Sequence, residues 1–176
     1  MKKLLFLAFC ALIFTSTGPS ARADRMKPIA VETLAARADW ILQGTVLSIS
    51  CQKDVDGRIF TKVELQVEEA WKGTVISNRF TIVHGGGVVG DEQTAVSGQV
   101  EFKIGEEVVV YLVRNPRGDG VCIGLSQGKF KVARDANGQK TVKNPFHGLG
   151  SDSGQATGKS GKLSLNELKQ RSQKSQ

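Results

Sequence analysis

Several short stretches of this 176-residue chain place glycines, acids or histidine at spacings that can do chemistry. His84-Gly85-Gly86-Gly87 follows a strand-like run and spells a loop whose glycine N–H groups stabilise a developing alkoxide in ester hydrolysis. The nucleophile elbow G-x-S-x-G that such a loop serves is missing, because Gly150-Ser151-Asp152-Ser153-Gly154 carries Asp at its centre. The same glycines satisfy G-x-G-x-x-G through Gly85, Gly87 and Gly90. That pattern holds a dinucleotide only when a helix N-terminus follows directly, and residues 91–98 do not read as such a helix. Gly154-Gln155-Ala156-Thr157-Gly158-Lys159-Ser160 has three residues between its glycines where a phosphate loop needs four. Asp135-Ala136-Asn137-Gly138 starts like a calcium loop but lacks the glutamate at the twelfth position, and reads as a turn.

The two histidines, His84 and His147, have no nucleophile or metal framework around them in the sequence. There is no C-x-x-C or H-x-x-x-H spacing, so neither zinc nor any other cofactor is expected. Trp71, after Glu68 and Glu69, is expected to be a lid on the core rather than a ligand platform. Cys51 and Cys122 are an even pair, which in an oxidising compartment invites a disulfide. The alternative is two buried thiols that never meet.

Export is read from residues 1–23. Lys2 and Lys3 precede the apolar run Leu4–Phe14, and small and polar residues then lead to Ala21-Arg22-Ala23, the order of a signal peptide cleaved after Ala23. The apolar run has 11 residues, too short to cross a bilayer. Phe9 before Cys10, with an A-x-A site further on, argues against lipid attachment at Cys10. The expectation is an exported protein, periplasmic or secreted, with no transmembrane segment in its mature form.

The formal charge of +7 dissolves when it is partitioned along the chain. Residues 1–23 hold three basic and no acidic groups, residues 150–176 hold five and two, and residues 24–149 hold sixteen and fifteen. Nucleic-acid binding needs a clustered basic face, so no nucleic-acid partner is expected.

The elements that must position these residues are mostly strands. A short helix is predicted over Val31–Ala38, with apolar residues at 31, 34, 35 and 38. Trp40–Ser50 reads as a strand, Asp54–Gly57 as a hairpin turn, and Ile59–Glu68 alternates apolar and polar as a half-buried strand does. Arg79–His84 and Thr94–Phe102 read as extended, with Gly85–Gly90 a mobile loop between them. Glu107–Val113 is apolar on both faces and reads as a central strand. Asn115–Gly120 is a loop, and short strands follow at Val121–Leu125, Lys129–Val132 and Lys140–Val142 around the Asp135–Gly138 turn. Strands of this number and spacing predict a mainly β fold, a small antiparallel Greek-key (OB-like) barrel over residues 24–147. A Gly/Ser/Lys-rich flexible linker is predicted over 148–162. In the 163–176 tail, Ser164-Leu165-Asn166-Glu167 fits a capping box. The helix it starts is expected to fray, with light docking through Leu163, Leu165 and Leu168 as the alternative.

Three strings in this frame carry a resemblance: Ala38-Asp39-Trp40-Ile41-Leu42-Gln43-Gly44-Thr45-Val46, Val67-Glu68-Glu69-Ala70-Trp71-Lys72-Gly73, and Phe102-Lys103-Ile104-Gly105-Glu106-Glu107-Val108-Val109-Val110-Tyr111-Leu112. Together, over residues 36–133, they resemble bacterial exported proteins similar to the netrin-type OB barrel of tissue inhibitors of metalloproteinases. The resemblance implies an OB-like barrel outside the cytoplasm, with an extracellular metalloprotease as the candidate partner. The animal inhibitors chelate the protease zinc through a mature N-terminal cysteine, whereas the predicted mature start here is Asp24. That mechanism is therefore not implied for this chain.

The functional expectation is a non-enzymatic binding module whose loops make the contacts: His84, Gly85, Gly86, Gly87 and Gly90 in one, Asn115 and Arg117 in the other. The alternatives are a small envelope hydrolase built on the His84 loop, and an envelope structural protein without a discrete site.

Overall fold

The computed structural model describes residues 27–148 and 163–174. The predicted signal peptide, and the predicted linker apart from Gly148, lie outside the described residues. Helix α1 (Val31–Arg37) buries Val31, Leu34 and Ala35, the i, i+3, i+4 face the spacing predicts. Strands β1 (Trp40–Lys53) and β2 (Ile59–Lys72) then form a long antiparallel hairpin. In its turn, Asp54 Oδ1 accepts the backbone N–H groups of Asp56 and Arg58. The β1–β2 register shifts at three points, which coils the hairpin. Gly44 sits at one of them, where a Cβ would lie 2.1 Å from the Gln66 carbonyl oxygen.

Strand β3 (Arg79–Gly85) pairs with β2. The glycine stretch expected as a mobile loop instead forms a small hairpin, β4 (Gly87–Val89) with β5 (Glu92–Thr94). Of the stretch 94–102, expected to be extended, only Thr94 is strand; the rest is irregular yet delivers Val100, 1% exposed, to the core. Apolar side chains can fill a core without ladder pairing, so the composition was legible and the conformation was not.

Strand β6 (Glu107–Arg114) is central, as expected. One of its edges pairs with β1, from Trp40↔Leu112 to Thr45↔Glu107. Its other edge is divided: β7 (Gly120–Cys122) takes Leu112–Arg114, and β8 (Lys129–Arg134) takes Val108–Val110. The first partner completes a ring of pairings, β1-β2-β3-β7-β6 and back to β1. The second starts a wing that continues through β9 (Lys140–Lys143) to β10 (Leu163–Ser164).

The fold is therefore mainly β, but the all-antiparallel expectation needs correcting at one seam. Strands β3 and β7 run parallel and meet through the single pair Ile82↔Gly120, so the ring of pairings is joined there by one contact and is not a clearly closed barrel. The cause is local: β7 is three residues long, and Gly124 and Leu125, at φ 62° and 60°, turn the chain into the 3₁₀ segment Leu125–Gly128.

Two cores lie on opposite faces of β6. Val108, Val110 and Leu112 face the ring interior with Leu42, Val46, Val63, Leu65 and Ile82. Val109 and Tyr111 face a second core under α1 and the C-terminal helix α2 (Leu165–Gln173), with Phe130, Val132 and Val142 from the wing. The capping box is present at Ser164, whose Oγ accepts the Glu167 N–H at 3.1 Å. The expectation that this helix frays is overturned. Leu168 is fully buried, Leu163 is 6% exposed, and Arg171 and Lys169 pair with Glu32 and Glu69. Three leucines suffice because the sheet face beneath them is apolar and otherwise uncovered. Among the described residues, no helix is long and apolar enough to cross a membrane.

Candidate functional site

The glycine hairpin is fastened to the end of the β1–β2 pair. The Thr61 hydroxyl donates to the Gly86 carbonyl at 2.7 Å, and the Cys51 thiol, 3.4 Å away, is left to donate to Thr61 Oγ1. Gly87, at φ 136°, lies so close to both side chains that a Cβ there would sit 2.6 Å from Cys51 Sγ. Glycine is required at that position by this approach as well as by its φ. Lys53 pairs with Glu92 at 2.5 Å, joining β1 to β5.

This anchoring bears on the chemistry that His84-Gly85-Gly86-Gly87 spells. The Gly86 N–H donates to the Ile59 carbonyl at 2.9 Å, and Gly87 lies in the ladder opposite Thr94, so these glycines serve pairing. His84 Nδ1 donates to the Gly85 carbonyl at 2.9 Å, which assigns the proton to Nδ1, and the ring stacks near Phe102. Gly90 closes the β4–β5 turn at φ 59°. What this end displays is apolar surface. Val55 at the β1–β2 turn is 98% exposed, Val88 on β4 is 54% exposed, and Val96, lying over Gly85 and Gly86, is 42% exposed.

The other expected contact loop closes on itself. Asn115 Oδ1 accepts the N–H groups of Arg117 and Asp119, both at 2.9 Å, and Arg117 is exposed. Strands β3 and β7 run parallel, so Asn115–Asp119, which precedes β7, lies toward the Arg79 end of β3, while the glycine hairpin follows its Gly85 end. The structure does not bring the two expected loops together.

The disulfide expectation is corrected as well. Cys51 and Cys122 are free thiols. Cys122 pairs with Leu112, which pairs with Trp40 at the start of β1, whereas Cys51 is near the other end of that strand. At ~3.3 Å per residue, Trp40 to Cys51 is roughly 35 Å of strand contour, against a Cα separation of about 7 Å that a disulfide tolerates. Burial pushes the Cys122 thiol up to about 12, so it is inert at neutral pH.

The second histidine acquires a role that its sequence neighbours do not reveal. His147 Nε2 donates to the Ile29 carbonyl at 2.9 Å while Gln127 Oε1 accepts the Ile29 N–H at 2.7 Å. Asn144, buried, donates to the Gln127 carbonyl and accepts the Phe146 and His147 N–H groups. The lead-in to α1 is thus held on both sides by a satisfied polar network. Trp71 is buried, as a core lid should be, with its Nε1–H donated to Glu69.

Sequence reasoning missed one feature entirely. On the face of the wing away from the helices is a cleft of about 410 Å³. Lys129, Lys131 and Lys143 line one side, Gln99–Glu101 the other, and Ser126, Asn144 and Pro145 the remainder. Lys129 is neutralised by Glu106 at 2.5 Å, and its ammonium also lies 4.7 Å from the Phe102 ring centre. The signal was present in the alternation Lys129-Phe130-Lys131-Val132 and in Thr141-Val142-Lys143: apolar residues face the helices and lysines the other side. The near-neutral total for residues 24–149 concealed it.

Among the described residues, no group of three or more His, Cys, Asp or Glu side chains could hold a metal ion. No protein-family model and no curated protein matches the chain, so the netrin-type resemblance rests on the three strings quoted above.

Proposed function

We propose that this chain is an exported, non-enzymatic binding module that contacts a protein through the end bearing the glycine hairpin. The observation that carries this reading is the display of Val55, Val88 and Val96 at that end, on and beside strands pinned by the Thr61–Gly86 and Lys53–Glu92 bonds. Apolar side chains held out on a braced hairpin make a contact surface with little ordering cost on binding. The resemblance supplies an extracellular metalloprotease as the partner to try first. Here the contact would be made by the hairpin, since no mature N-terminal cysteine is expected.

The test is binding of the purified protein to a purified zinc endoprotease, measured by calorimetry alongside protease activity. Wild type is expected to bind, and Val88→Asp with Val96→Asp to weaken binding about tenfold or more, as burying unpaired charge does at an interface. Wild-type binding unchanged by these substitutions would reject the hairpin as the contact surface. Mass spectrometry of the exported protein should find Asp24 as its first residue.

A further inference from the structure

The lysine cleft is built against its own electrostatics. Lys131 on β8 and Lys143 on β9 are direct partners in the antiparallel register, so their side chains leave the same face of the sheet side by side. Like charges in that position repel, and a strand pair selected for stability alone would place an acid or a threonine at one of them. The neighbouring pair Ala133↔Thr141, on the same face, shows that the wing accommodates small neutral side chains there.

The other lysines of the wing are provided for. Lys129 binds Glu106, and Lys140, on the opposite face of β9, binds Glu107 at 2.6 Å. Among the described residues Lys131 and Lys143 have no ion pair with an acid. They are exposed at the mouth of the cleft, facing a wall that carries Glu101, whose backbone carbonyl accepts from Lys129. The cleft's volume suits a small organic ligand rather than a single ion.

We propose that this cleft is a binding site for a small solute bearing a compact dianion, either a phosphate group or two closely spaced carboxylates, held between the ammonium groups of Lys131 and Lys143. The anion removes the lysine–lysine repulsion on binding, so occupancy and wing stability are coupled. The Lys129–Glu106 pair supports one side of the cleft without competing for the anion. Glu101, on the far wall, disfavours a second negative charge there, which restricts the ligand to one anionic end. The site shares no residue with the hairpin and stands whether or not the hairpin binds a protein.

The coupling gives a test with opposite signs. In anion-free buffer at low ionic strength, replacing Lys131 and Lys143 by Thr raises the melting temperature, because the repulsion is gone. The same variant loses the rise in melting temperature that inorganic phosphate or malonate produces in the wild type. Calorimetry on the purified wild type gives a saturable one-site isotherm with at least one of the two probes, and the double variant weakens it about tenfold or more. Phosphate binding alone identifies a phosphorylated ligand, and malonate binding alone a dicarboxylate. Lys140→Thr, outside the cleft, leaves the isotherm unchanged. The proposal is overturned if neither probe gives saturable binding, or if both stabilise the double variant as much as the wild type.

Discussion

The two faces of β6 support cores of different construction. The ring core is enclosed by the pairings β1-β2-β3-β7-β6 and filled by apolar side chains from Leu42 to Leu112, with the buried Thr61 hydroxyl bonded to Gly86 at its hairpin end. The helix-side core is assembled from the two ends of the described chain, α1 and α2, laid over β6 and the wing. It also holds a buried polar pair. The Ser172 hydroxyl donates to the Leu168 carbonyl at 2.8 Å, so Ser172 Oγ must accept the Tyr111 O–H, at 2.6 Å. The helix side should therefore open separately from the ring, and its integrity should depend on a few specific bonds.

The largest effect is expected from a cavity in the ring. Leu112→Ala removes a fully buried side chain from the strand that both cores share, and should cost about 4 kcal/mol, with loss of both cores in one denaturant transition. Leu168→Ala should cost about 2–3 kcal/mol and act locally, because α2 can lift while the ring persists. Hydrogen exchange should then accelerate in α2 and leave Val108–Leu112 protected. Equal acceleration in both would merge the two cores into one cooperative unit.

Next in size is the polar pair. Ser172→Ala leaves the buried Tyr111 hydroxyl without an acceptor and should cost about 2 kcal/mol, whereas Tyr111→Phe leaves Ser172 bonded to Leu168 and should cost about 1 kcal/mol. Chemical denaturation of the two variants measures the asymmetry, and a reversed order would refute the hydrogen-bond direction.

The smallest effect is that of pH. The Arg171 guanidinium holds the Glu32 carboxyl below its ordinary value of 4.5, and the Lys169 ammonium does the same for Glu69. A carboxylate lowered in the folded state stabilises fully above its unfolded value, and that stabilisation is lost as pH falls through the folded value. Both pairs tether α2, so α2 should loosen below about pH 4.5 before the ring does. Asp54 is also lowered, first by the Arg58 N–H, but it sits at the tip of the β1–β2 turn, away from both cores. Amide exchange in α2 followed from pH 7 to 3 checks the order.

Reading the candidate site from sequence succeeded where a pattern is local. Asp-Gly at 56–57 marks its turn, the alternation over Ile59–Val67 marks its face, and the two-sided apolar run of β6 marks a central strand, because each reports only on the residues beside it. The glycines of 85–90 stand out in the sequence. Their hairpin does not, since it depends on Thr61 and Cys51 arriving from other strands. His147 looked idle for the same reason, its partner Ile29 being 118 positions away in the chain.

By itself, the sequence determined a mainly β chain with a helix near each end of its described residues, the turns, the capping box at Ser164 and the faces of the strands. These follow from φ preferences, side-chain periodicity and caps, which act over a few residues. The tertiary structure alone decided which strand edges meet, and with them that Cys51 and Cys122 stay apart, that α2 is part of a core, and that Lys131 stands beside Lys143. Pairing register between distant segments is set by the packing of the whole, so no local pattern contains it.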